Sequence, residues 1–175
     1  MQKNTRIIVI VLALLFITTA VGAVVNRQYA REREALLKAA EIAVLEQGRE
    51  VSRLTMDAIG QLPTANFTAR LKSSVMESPE EHTYTGIAFS DLFASAGISL
   101  KDKRRVVVHS VDGYAVPLSI EEIKALENVY LVYMDNGDYL GSYGAADGQG
   151  PYMIVIRGDR FSQRWAKYVC ELDVQ

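Results

Sequence analysis

From Ile7 to Val25 the chain carries no charged side chain, and only Thr18, Thr19 and Gly22 interrupt the aliphatic sequence. At ~1.5 Å per residue, about 20 helical residues cross a hydrocarbon core of ~30 Å. The run is therefore read as an uncleaved signal anchor, with the chain attached to the inner (cytoplasmic) membrane by a single pass. A cleavable signal peptide is the alternative, with Val21-Gly22-Ala23 as its cleavage site, but its apolar region spans only roughly 7–15 residues. A buried core helix would show a polar face at helical period, and none is present.

After Asn26 the texture becomes Ala-, Leu-, Glu- and Arg-rich (RQYAREREALLKAAE). Strong helix formers with mixed charges at three- and four-residue spacing predict a helix. The short run EIAVL (41–45) reads either as the end of that helix or as a first strand, and Gly48 marks a break. The resulting division is a transmembrane anchor over 1–26, a juxtamembrane helix or stalk over 27–47, and a folded domain over 48–175.

Within that domain Thr55 caps a short helix that stops before Pro63. NFTARL (66–71) alternates as a strand does, and Lys72 to His82, with Pro79, reads as a loop. Ser90 is expected to cap the helix DLFASAG, closed by Gly97. VVVHSV (106–111) is a β-branched strand that turns at Asp112-Gly113. Ser119-Ile120-Glu121-Glu122 has the capping-box spacing. VYLVYM (129–134) is a strand turned by Asn136-Gly137, YMIVIR (152–157) is another, and KYVCELDV (167–174) is the last. Hairpin turns and short intervening helices predict an α+β fold with a mixed, mainly antiparallel sheet.

Charge and cysteine content narrow the functional classes. The net charge is −2, and every acidic side chain lies beyond residue 26, so the domain surface is mildly acidic. That gives no support to nucleic-acid binding, for which a basic face is expected. Cationic residues flank the apolar run on both sides, so charge bias does not orient it. Cys170 is the only cysteine. It allows no intrachain disulfide, and in an alternating strand it reads as a small core residue.

Several residues could carry chemistry, each with a plainer alternative. His109 lies inside a strand, where a packed core histidine competes with a ligand-facing one. Asp112 and Tyr114 form a turn that could also line a cleft. The loop from Gly141 to Pro151 contains Gly150 and is rich in glycine, but it lacks the strand and helix setting of a phosphate loop. Arg157, Arg160, Arg164 and Lys167 form either a solvated edge or an anion site. Tyr130, Tyr133 and Tyr143 suggest an interface for a partner, with strand packing as the alternative. No spacing of His, Cys or carboxylates indicates a metal site.

Taken in order, LTMDAIGQLPTANFTAR, YTGIAFSDLFASAGI, RRVVVHSVDGYAVPLSIEE, VYLVYMDNGDYL and GPYMIVIRGDRFSQRWAKYVCELDV resemble the molybdopterin-binding domain of the sulfite oxidase family. The resemblance covers residues ~50–175. It implies a pterin-type cleft around His109, Asp112, Tyr114, Gly150, Arg157, Arg164 and Lys167, and a domain outside the cytoplasm, in the periplasm. Active members of that family hold molybdenum through a cysteine thiolate placed before the Asp-Gly-Tyr element. Here that region offers only Ser73, Ser74 and His82, and a soft thiolate is what suits molybdenum. The expectation is therefore a membrane-anchored binding or sensing module without a molybdenum cofactor, contacting the membrane and an envelope protein partner. A minimal molybdopterin-dependent oxidoreductase and an accessory subunit of a membrane complex are the alternatives.

Overall fold

The structure, a computed structural model, describes residues 2–73 and 76–175; Ser74 lies outside the described residues. Helix α1 spans Gln2–Ala39. Its stretch Ile7–Ala39 is long and apolar enough to cross a membrane. The two threonines in the apolar run do not leave polar groups exposed. Thr18 Oγ1 and Thr19 Oγ1 both donate to the carbonyl of Leu15, at 2.9 and 2.8 Å, which satisfies their hydroxyls on the helix itself.

The chain divides into two compact units, residues 1–34 and 35–175. The second holds the folded domain. Its elements are β1 Glu41–Glu46, β2 Arg49–Thr55, α2 Met56–Gly60, β3 Ala65–Leu71, β4 Glu80–Ala88, α3 Phe89–Ser95, β5 Arg105–Ser110, β6 Ala115–Ser119, α4 Ile120–Lys124, β7 Val129–Asp135, β8 Asp138–Tyr139, β9 Met153–Ile156, a single 3-10 turn Ser162–Arg164, and β10 Val169–Val174. One sheet has the order β2-β1-β10-β5-β6, and the other has β3-β4-β7-β8 with β9 also paired to β7. All pairings are antiparallel except β1 with β10, which is parallel. This is the mixed α+β architecture that the turn pattern predicts.

The local signals explain the corners. Asn136 and Gly137 both take positive φ, 51° and 90°, as a two-residue hairpin turn between β7 and β8 requires. Asp112 Oδ1 accepts from Tyr114 N at 3.0 Å, which closes the β5–β6 turn. Ser119 Oγ accepts from Glu122 N at 3.1 Å and Glu122 Oε2 from Ser119 N at 2.9 Å, a complete capping box. Thr55 Oγ1 likewise caps α2 through Ala58 N at 3.2 Å.

Three expectations change. EIAVL is a strand: Gly48 turns the β1–β2 hairpin, its N–H held by Asp173 Oδ1 at 3.0 Å, so residues 41–47 belong to the domain sheet rather than to a stalk. Ser90 does not cap α3, because the preceding Ala88 is the cap residue and offers no side-chain bond. Burial of Phe89, Leu92 and Phe93 holds that helix instead. The loop after Lys72 is also shorter than expected, since β4 starts at Glu80.

The main core lies against both sheets and includes Ile42, Tyr84, Ile87, Phe89, Phe93, Leu131 and Tyr152, all essentially buried. The Tyr152 hydroxyl donates to Ala40 O at 2.9 Å. Its burial and the charges of Asp57 and Glu41 raise its pKa. A smaller cluster of Leu36, Leu37, Ala43 and Cys170 covers part of the first sheet.

Candidate functional site: a basic cleft at the edge of the second sheet

The chain after β9 folds back past the end of β3 and is fastened there. Ser162 N donates to Lys72 O at 2.9 Å, and Lys72 N donates to Ser162 Oγ at 2.8 Å. Between this segment and the sheet edge lies a cleft of about 540 Å³. Its lining brings together Arg70 and Lys72 from the β3 side with Arg157 and Arg160 from the loop, and includes Thr68, Glu81, Asp159 and Trp165.

The scaffold beneath is rigid. Trp165 is buried, its Nε1 donates to Ile156 O at 3.1 Å, and its ring meets Tyr84 edge-on at 5.9 Å. Asn128 ties the loop to α4: its Nδ2 donates to Glu122 O at 3.0 Å and its Oδ1 accepts from Gly158 N at 2.9 Å. Arg164 does not face a ligand. Its guanidinium binds the Asp159 carboxylate through Nε at 3.0 Å and Glu122 Oε1 at 2.8 Å. The bonds to Asp159 and then Glu122 raise its pKa. Burial pushes the Glu122 carboxyl up, but bonds from Arg164 and Ser119 outweigh it and hold the carboxyl below its usual value.

The remaining cations differ in their partners. Arg157 lies over the Phe67 ring at 5.6 Å and reaches Glu127 Oε2 at 3.2 Å. Arg70 pairs with Glu81 at 3.8 Å across an exposed surface. Lys72 and Arg160 both sit over Phe161, at 4.9 and 5.5 Å from its ring centre. Among the described residues neither has a carboxylate ion-pair partner.

The residues expected from sequence separate into groups. Arg157 lines the cleft, and Arg164 buttresses its loop. Tyr114 reaches the same loop, its hydroxyl donating to Gln163 O at 2.8 Å. Asp112 serves the β5–β6 turn. Lys167 is exposed beyond the 3-10 turn. His109 lies on the first sheet with its side chain away from the main core, its Nε2 at 3.7 Å from Glu171. Gly150 is a packing position: an added Cβ would come within 2.6 Å of the Leu140 Cβ. Tyr130 cannot present an interface, because it is 5% exposed and stacks on Phe67 at 4.1 Å inside the core. Tyr133 stacks on Tyr139 at 6.4 Å, and Tyr143 is exposed beside Tyr168. The sequence reading missed Arg70, Lys72, Phe161 and Trp165. It also missed the bond from His82 Nδ1 to Asp135 Oδ2 at 2.8 Å, whose carboxylate, after burial itself, helps raise the pKa of Tyr84.

The cleft offers guanidinium, ammonium, hydroxyl and carboxylate groups, whereas the resemblance requires a thiolate. Cys170 is fully buried with Leu36, Leu37 and Ala43, and its Sγ lies 3.6 Å from His109 O. Among the described residues no group of His, Cys, Asp and Glu could hold a metal ion.

No family model and no curated protein matches the chain. Among solved structures the fold is similar to the sulfane dehydrogenase SoxCD from Paracoccus pantotrophus, with a TM-score of 0.63 and 16% identity. The likeness covers 77% of this chain and 37% of that one. At this identity it shows a common fold, an α+β domain shared with a larger enzyme.

Proposed function

We propose that the chain is a membrane-anchored module of the cell envelope whose domain binds an anionic ligand without molybdenum. The observation that carries this reading is the cleft itself. Four cationic side chains, Arg70, Lys72, Arg157 and Arg160, converge on one concavity, and among the described residues Lys72 and Arg160 have no carboxylate ion-pair partner. Cations held over an aromatic ring and a fixed loop are pre-organised for an anion, so little ordering cost is added on binding. The long apolar helix supports a single-pass anchor in the inner membrane, and the sequence resemblance to the sulfite oxidase domain supports placing this domain on the periplasmic side.

Trp165 is the only tryptophan and lines the cleft, which gives a direct readout. Citrate or sulfate added to the full chain in detergent is expected to change Trp165 fluorescence saturably. The double variant Arg157→Glu/Arg160→Glu is expected to lose at least about tenfold in affinity, since two charge-assisted contacts become repulsive. A flat titration of the wild-type chain would overturn the anion reading. Purified from a host that makes molybdenum cofactor, the chain is expected to carry far less than one molybdenum and no oxidised-pterin fluorescence. Stoichiometric metal would favour the oxidoreductase alternative instead. A reporter active only outside the cytoplasm, fused after Gln175, is expected to be active. An inactive fusion alongside an active cytoplasm-only one would refute the orientation.

A further inference from the structure

The strand edges of this domain are not treated alike. An open edge exposes a row of unpaired backbone groups and is normally blunted by charge, proline, shortness or a covering segment. Edge strand β2 carries Arg49, Glu50 and Arg53. Edge strand β6 contains Pro117. Strand β8 has two residues. Strand β9 is covered by the chain that follows it, through Ile154 N to Ala166 O at 2.9 Å and Val169 N to Tyr152 O at 3.0 Å. Strand β3 has the least of these devices, one charged side chain and no proline. It is seven residues long, ends its sheet, pairs with β4 alone, and has Arg70 as its single charge.

Its backbone also shows which groups face outward. Lys72, just past the strand, directs both its N–H and its C=O away from β4 to Ser162. Strand alternation then turns the N–H and C=O of Arg70, Thr68 and Asn66 the same way. The Ser162 contact is in effect the first rung of a ladder that stops after one residue. The basic cleft lies along this row, because Thr68, Arg70 and Lys72 line it as well.

We propose that β3 takes an extended acidic segment of a partner protein as an added strand, with Lys72, Arg157 and Arg160 reading its carboxylates. The inference rests on the anion reading of the cleft and names the source of the anion. Backbone pairing supplies affinity in such additions, and alternate side chains supply selectivity. A small anion would use the cations and leave the open row of Asn66, Thr68 and Arg70 unused. A second copy of this chain would set two basic clefts along one seam, and the like charges oppose it.

The test uses the full chain in zwitterionic nanodiscs and a labelled, end-blocked octapeptide of alternating threonine and glutamate. A lysine counterpart and two N-methylated versions, each blocking one alternate set of amides, complete the series. The glutamate peptide is expected to bind and the lysine peptide not. One N-methylated set is expected to lose at least about tenfold, because it removes the amides facing β3, while the other stays within about twofold. On the protein side, Asn66→Pro, at a position outside the lining of the cleft, removes an outward N–H that the sheet does not use. It is expected to weaken the peptide about tenfold while citrate still alters Trp165 fluorescence. Equal binding by both N-methylated peptides, or by the lysine peptide, would overturn the proposal without involving any variant. Citrate binding with no peptide binding would sink the added strand and leave the anion reading standing. Loss of both would sink both. A dimer that Asn66→Pro dissociates would assign the edge to a second copy instead.

Discussion

Gly86→Ala is expected to destabilise the domain by ~3 kcal/mol or more, at the upper end of what overpacking costs. Gly86 lies on β4 where the register against β7 shifts. A Cβ there would sit 2.7 Å from the Val132 Cα and 2.9 Å from the Val132 Cγ1. A flexible side chain could swing away, but a backbone Cα in a central strand cannot. Relief requires β4 and β7 to separate, and the flanking Ile87 and Leu131 are both completely buried. The expected fall in Tm is roughly 6–12 °C for a chain of this size, followed by Trp165 fluorescence. Gly60→Ala is the control. It ends α2 and has nothing within 4 Å of an added Cβ, so its Tm is expected to stay put or rise slightly. Equal shifts in the two variants would show that the β4–β7 approach is not the tight point.

The second large effect concerns attachment. Leu14→Arg/Phe16→Arg places two charges in the middle of the apolar run of α1. At ~2.5–3.5 kcal/mol per central arginine, insertion would lose ~5–7 kcal/mol. The wild-type chain is expected to stay in the membrane pellet through an alkaline carbonate wash, and the double variant to leave that pellet. Release of the wild-type chain by carbonate would show that the helix is not an integral anchor. The folded unit begins at residue 35, so the cleft variants test a separate property.

What the sequence makes legible is local. Asn136-Gly137, Asp112-Gly113 and the Ser119 to Glu122 capping box each state their geometry within four residues, because the physics is confined to one turn. The apolar run is equally self-contained. Strand β1 is harder, because Ile42, Ala43 and Val44 suit a helix end until a distant strand pairs with them. The cleft is harder still. Arg70 and Lys72 are 85 to 90 residues from Arg157 and Arg160 along the chain. Two hydrogen bonds between Lys72 and Ser162, with Arg157 over Phe67 and Lys72 over Phe161, bring the segments together, and none of these residue types announces that role. Tyr130 and Tyr133 lie three residues apart in one strand, yet Tyr130 stacks on Phe67 in the core and Tyr133 lies near the surface. Periodicity identifies the alternation of a strand but not which residue opposite will cover it.

Strand β1 follows α1 almost at once, yet its parallel neighbour β10 is the last strand of the chain, with Ala43 opposite Glu171 and Val44 opposite Leu172. During synthesis, β1 must wait for a partner 128 residues further along the chain, from Ala43 to Glu171. Until then β1 has only β2 beside it, and a lone two-stranded hairpin is marginal in water. The first sheet therefore closes only once β10 has been made. For that interval it stays open on the β1 side, where a folding factor would find its substrate.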